Sequence, residues 1–128
     1  MTLMGGFFNM KQEFYWQNVT KEKLLQNGFK YSRGFSCEES DAYIAYFPVY
    51  RYNFSILLDA RIVAYLDGQV KIDIVDRCTK GIYATYYTYN VERAPIIAEI
   101  DKELTKIIKK LGVKQKNERK NKTFNRHG

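Results

Sequence analysis

The stretch SILLDARIVAYLDGQVKIDIVD, residues Ser55–Asp76, decides the fold. Ile56, Leu58, Ala60, Ile62, Ala64 and Leu66 recur at every second position, and Val70, Ile72 and Ile74 do the same after Asp67-Gly68. Period two marks a strand with one buried face, so two strands joined by a hairpin are expected. The register follows from making the two apolar faces coincide. A two-residue Asp-Gly loop would place Ile62 opposite Asp73 and Val63 opposite Ile72, which mixes core and solvent faces. A three-residue loop of Leu66-Asp67-Gly68, with Gly68 left-handed, pairs Ala64 with Val70, Ile62 with Ile72 and Ala60 with Ile74. On the other face it sets Arg61 across from Asp73 as an ion pair.

The same reasoning extends outward in both directions. Thr79-Lys80-Gly81 again places Gly third in a short loop, and predicts a further strand pairing Asp76 with Ala84 and Ile74 with Tyr86. Arg77 would then face Tyr83, Val75 would face Thr85, and Asp73 would face Tyr87. Asp76 comes out on the core side near a strand end, where it needs a partner or a turn amide. Before the hairpin, AYIAYFPVY is rich in aromatic and branched residues, but Pro48 cannot donate to a ladder. That segment is an edge strand or a strand broken at Pro48. Ala42 to Tyr89 thus reads as a four-stranded antiparallel meander.

Helices frame it. Pro95 suits a first helical turn, and Ile97, Ile100, Leu104, Ile107, Ile108 and Leu111 follow at spacings of three and four until Gly112 closes the helix. One apolar stripe of this kind covers a sheet face. A short helix is predicted over Thr20–Asn27, capped by Thr20 and closed by Gly28, with Leu24 and Leu25 turned inward. Phe29–Phe35 reads as extended, and Ser36–Asp41 as a polar loop. The fold class is α+β, organised as a loosely attached leader (1–12, with Met10 a candidate start), one domain (13–112) and a basic polar tail (113–128).

Charge is divided unevenly. Residues 109–128 hold eight cations (Lys109, Lys110, Lys114, Lys116, Arg119, Lys120, Lys122 and Arg126) against the single acid Glu118. That segment accounts for the whole net charge of +7, and residues 1–108 are neutral. Such a tail binds nucleic acid non-specifically or serves only to solubilise the chain. Neither a secretory signal nor an apolar run of about twenty residues is present, so a cytoplasmic protein with no membrane partner is expected.

Chemistry-bearing motifs are sparse. The only histidine, His127, lies next to the last residue, which leaves no His-based triad or zinc site in the body. Cys37 and Cys78 have no metal or redox spacing and read as reduced thiols. Glu38, Glu39 and Asp41 cluster in a loop, while Asp59, Asp73 and Asp76 lie on strands. Acid–base or magnesium chemistry would require two of these to converge in a cleft. Glycine-rich phosphate loops are absent. The reading is therefore of a non-enzyme without cofactor, metal or identified small-molecule substrate.

Tyrosine is the unusual residue, with eleven copies. The predicted register places Tyr83, Tyr87 and Tyr89 on the sheet face away from the helix, beside Tyr65, Arg61, Lys71 and Arg77. Three readings of that face are open: cross-strand stabilisation, a protein interface, or base stacking with phosphate contacts.

With DGQVKIDIVDR, GIYATYY and EIDKELTKIIKKLG in view, the segment Leu57–Gly112 resembles small uncharacterised accessory proteins of Gram-positive mobile elements. The resemblance implies no activity and no functional residues. The expectation is a non-enzymatic accessory or protein-interaction module. It would bind a protein partner or self-associate through the sheet face or the Pro48 edge. Nucleic-acid binding through the tail and the tyrosine face is the alternative.

Overall fold

A computed structural model describes residues 13–52, 56–88 and 94–115. It is an α+β fold in which an antiparallel sheet carries a C-terminal helix. The sheet has six strands rather than the expected four: β1 (Phe14–Tyr15), β2 (Lys30–Ser32), β3 (Ala42–Tyr52), β4 (Ile56–Tyr65), β5 (Gln69–Asp76) and β6 (Lys114–Gln115), ordered β2-β3-β4-β5-β1-β6. Two helices accompany it, α1 (Lys21–Gln26) and α2 (Ala94–Leu111).

The central hairpin has the register that face-matching demands. Ala64 pairs with Val70, Ile62 with Ile72, Ala60 with Ile74, and Arg61 with Asp73. Gly68 turns the chain at φ +104°, and its N–H reaches the Tyr65 carbonyl at 2.9 Å. An L-residue rarely adopts that backbone conformation, which explains glycine at this position.

The second predicted hairpin does not form. After one bridge between Val75 and Ile82, residues Ala84–Tyr87 close a single 3-10 turn. The left-handed residue in the preceding loop is Lys80 (φ 66°), whereas Gly81 has no positive φ. The physical reason lies at the edge of β5. Phe14 and Tyr15 already occupy it opposite Val70 and Gln69, so a strand continuing from Ile82 would run into β1. Asp76, which needed a turn amide, has two: its Oδ1 accepts from Cys78 N at 2.8 Å and Thr79 N at 3.1 Å.

Among the described strands β3 is left at the edge for most of its length, because β2 pairs only with Ala42, Tyr43 and Ile44. The ladder to β4 shifts register between Pro48 and Tyr50, so the segment is an edge strand with a bulge at Val49 and is not broken at Pro48, which still pairs with Asp59. Pro48 stands on the side where its missing N–H matters least. Ile74 directs its main-chain groups away from β4, to Tyr83 and Tyr87. Its partner Ala60 must therefore direct its own toward β3, and Phe47 opposite Ala60 points back at β4. By alternation Pro48, the next residue, faces the open side.

The core lies between the sheet and α2. Ile97, Ile100, Leu104 and Leu111 of α2 pack with Leu58, Ala60, Ile62, Ala64, Val70 and Ile74 of the hairpin. Each fully buried aliphatic side chain contributes roughly 1.5–3 kcal/mol, so this stripe outweighs any cap in placing α2. Gly112 closes α2 at φ +87°, with its N–H on the Ile108 carbonyl. The chain does not leave the fold there: Val113 is buried, and β6 follows. In α1, Thr20 Oγ1 accepts from Lys23 N at 3.1 Å, as a capping threonine should. Only Leu24 is buried; Leu25 is 50% exposed, because a six-residue helix offers one inward position here.

Candidate functional site

The sheet face away from α2 is laced together by its own charges. Arg61 Nη2 lies 3.3 Å from Asp73 Oδ2, and its guanidinium carbon sits 5.2 Å from the centre of the Phe35 ring. Lys71 Nζ is 5.7 Å from the Tyr65 ring centre, and Lys80 Nζ is 4.2 Å from that of Tyr46. Arg77 grips Asp59 through Nη2 at 2.9 Å and Nε at 3.2 Å. Asp59 is only 4% exposed, so its carboxylate has exchanged water for this fork. The hydrogen bond and charge of Asp59 raise the pKa of the Arg77 guanidinium further above its already high ordinary value.

The 33–41 loop lies over part of this face. Its Ser36 Oγ accepts from Ala42 N at 2.9 Å, the Asp41 carbonyl accepts from Leu66 N at 3.2 Å, and Phe35 reaches Arg61. Tyr65 is buried in a small second cluster with Ala42 and Val63.

The expected tyrosine-and-cation face is therefore corrected in composition. The rings of Tyr83 and Tyr87 pack partly buried against the main core, because the chain turns into a 3-10 helix instead of a fourth strand, and only the Tyr87 hydroxyl reaches the face, at Asp73. Tyr89 lies outside the described residues. Arg61, Lys71 and Arg77 are on the face; the two arginines are in ion pairs there, and Lys71 is exposed beside the Tyr65 ring. Tyr86 is buried, and its hydroxyl donates to Asp101 Oδ1 of α2 at 2.5 Å, which ties the 3-10 turn to the helix.

The strand carboxylates have structural partners as well: Asp59 has Arg77, Asp73 has Arg61 and Tyr87, and Asp76 has two turn amides. The loop acids Glu38, Glu39 and Asp41 join Cys37, Ser40, Leu66 and Asp67 around an open depression of about 430 Å³. Cys37 and Cys78 are exposed free thiols. Among the described residues no group of His, Cys, Asp and Glu side chains is arranged to hold a metal ion. No helix among them is long and apolar enough to cross a membrane. Of the basic segment, Lys109 and Lys110 are exposed at the end of α2 and Lys114 is exposed on β6, while Lys116, Arg119, Lys120, Lys122 and Arg126 lie outside the described residues.

A second groove, which sequence reasoning approached only through Pro48, runs along the open side of β3. Its strand wall is Pro48, Val49, Tyr50 and Arg51; its helix wall is Pro95, Ile96, Glu99 and Glu103. The volume is about 560 Å³. No described strand pairs with β3 on this side beyond Ile44. Glu103 holds Lys106 at 3.3 Å on an exposed part of α2. The signal available in the sequence was weak, since Glu99 and Glu103 read as an ordinary solvated helix face.

No protein-family model matches the chain, and neither a curated protein nor a solved structure matches it.

Proposed function

We propose that the chain is a non-enzymatic accessory module that binds a protein partner in the groove between the open side of β3 and α2. The supporting observation is the mismatch between β3, which runs from Ala42 to Tyr52, and its outer neighbour β2, which covers only three of those residues. An edge that no described strand covers, beside a helix wall of Pro95, Ile96, Glu99 and Glu103, accepts an extended segment through main-chain hydrogen bonds and side-chain contacts. Pro48 and the register shift after it deny a second copy a long continuous ladder, so the favoured occupant is short. The sheet face is the weaker candidate in this reading, because its two arginines are already held by Asp73 and Asp59.

Site-specific photo-crosslinking tests this reading. A photoreactive residue replacing Arg51 should capture a protein from nuclease-treated host extract. The same residue replacing Thr105, exposed elsewhere on α2, should not. Equal capture at both positions would sink the proposal. The nucleic-acid alternative rests on the tail, and its test is truncation after Gln115, because truncation after Gly112 would also remove buried Val113 and β6. Nucleic-acid binding that vanishes on that truncation, with no capture at Arg51, would favour the alternative.

A further inference from the structure

We infer that the segment this groove takes is an extended strand with two cationic side chains in an alternating pattern, Lys/Arg-x-Lys/Arg. The inference rests on the groove reading above and adds the chemistry of the occupant. Glu99 and Glu103 are both on the helix wall, four residues apart. At a rise of about 1.5 Å per residue their attachment points are about 6 Å apart along α2. Side chains at i and i+2 of an extended chain are about 6.7 Å apart and share one face. Two carboxylates at that spacing match two same-face side chains of an extended segment that lies along α2 in the groove.

Charge and shape agree with this spacing. The strand wall supplies the contrasting elements: Pro48 and the outer part of Tyr50 offer apolar and aromatic surface over the buried Val49, and Arg51 is its single cation. The groove is thus polarised across its width, acidic toward α2 and basic toward the end of β3. An occupant turns its cations toward α2 and leaves its intervening side chains toward solvent. From Pro95 to Glu103 the helix wall extends about 12 Å, enough for about four extended residues. Lys106 holds Glu103 only from an exposed position, so an incoming cation competes with it at little cost.

The experiment selects binders for the full-length chain from a displayed library of random linear peptides. Selected peptides are then crosslinked to the photoreactive Arg51 variant. Enrichment of the Lys/Arg-x-Lys/Arg pattern is expected. Affinity should fall about tenfold in the Glu99→Lys/Glu103→Lys variant and weaken with added salt. Peptides that crosslink at position 51 but lack the pattern, and bind the charge-reversed variant equally well, would overturn the inference and leave the groove reading standing. If no selected peptide crosslinks there, both fail. Because both glutamates are on an exposed helix face, circular dichroism of the variant should match that of the parent.

Discussion

The phenol oxygen of Tyr87 lies 3.0 Å from the main-chain nitrogen of Ile74 and accepts its hydrogen bond, while donating to Asp73 Oδ1 at 3.1 Å. A side chain thereby does what a neighbouring strand would have done at this part of the β5 edge. β1 serves the edge at Val70 and Ile82 serves it at Val75; Tyr87 fills the interval between them.

Tyr87→Phe should accordingly cost about 1–3 kcal/mol, the penalty for leaving a part-buried N–H without an acceptor. Urea unfolding should show a lower midpoint with an unchanged slope. Stability equal to the parent would mean that water replaces the phenol without loss.

The same contact predicts a pH dependence. Burial, with a smaller contribution from the Asp73 carboxylate, holds the Tyr87 hydroxyl well above the ordinary value of 10.0, although the Ile74 N–H acts in the opposite sense. The folded state thus keeps a proton that the unfolded chain releases near pH 10. The stabilisation is complete below about pH 10 and is lost as pH rises from there toward the folded-state value. Comparing urea midpoints of the parent and Tyr87→Phe from about pH 8 to about pH 11 isolates this group from the other tyrosines. The gap between the two proteins should narrow at the alkaline end.

Asp59 and Arg77 should behave as a coupled pair. Arg77→Ala strands a nearly buried carboxylate and should lower the thermal midpoint markedly. Asp59→Asn combined with Arg77→Ala should lose less than the two single changes together. Additive losses in thermal unfolding would show that the fork contributes nothing beyond its separate side chains.

The two glycine loops should respond differently to alanine. Gly68→Ala forces a Cβ onto a φ of +104° and should cost about 1–2 kcal/mol. At Gly81 φ is not in that region, and the added Cβ would meet only the Thr79 hydroxyl at 3.3 Å. Gly81→Ala should therefore change stability by less than about 0.5 kcal/mol in urea unfolding.

What the sequence disclosed follows from where repetition constrains it. The β4–β5 register, α2 with Gly112, the Thr20 cap and the needs of Asp76 were all readable, because each rests on a local spacing or on a buried face that tolerates one alignment. β1 and β6 were not: a two-residue strand has no period, and their pairing joins positions far apart in the chain. That omission carried forward, since β1 already stands opposite Val70, where a strand continuing from Ile82 would bring Tyr87, and Ala84–Tyr87 form a turn instead. The groove was legible only at Pro48. Its helix wall is made by packing α2 beside β3, and neither segment alone announces it.

The pairing of Phe14 with Gln115 has a mechanical consequence. The chain arrives at β1 and departs from β6 on the same side of the same short ladder. A load applied through the segments flanking these strands would peel them apart one bond at a time, as a zipper opens, instead of shearing several bonds at once. The hydrogen bonds of this ladder thus yield singly under load, and what resists the peeling is the burial of Phe14, Trp16 and Val113 in the core shared with the hairpin and α2.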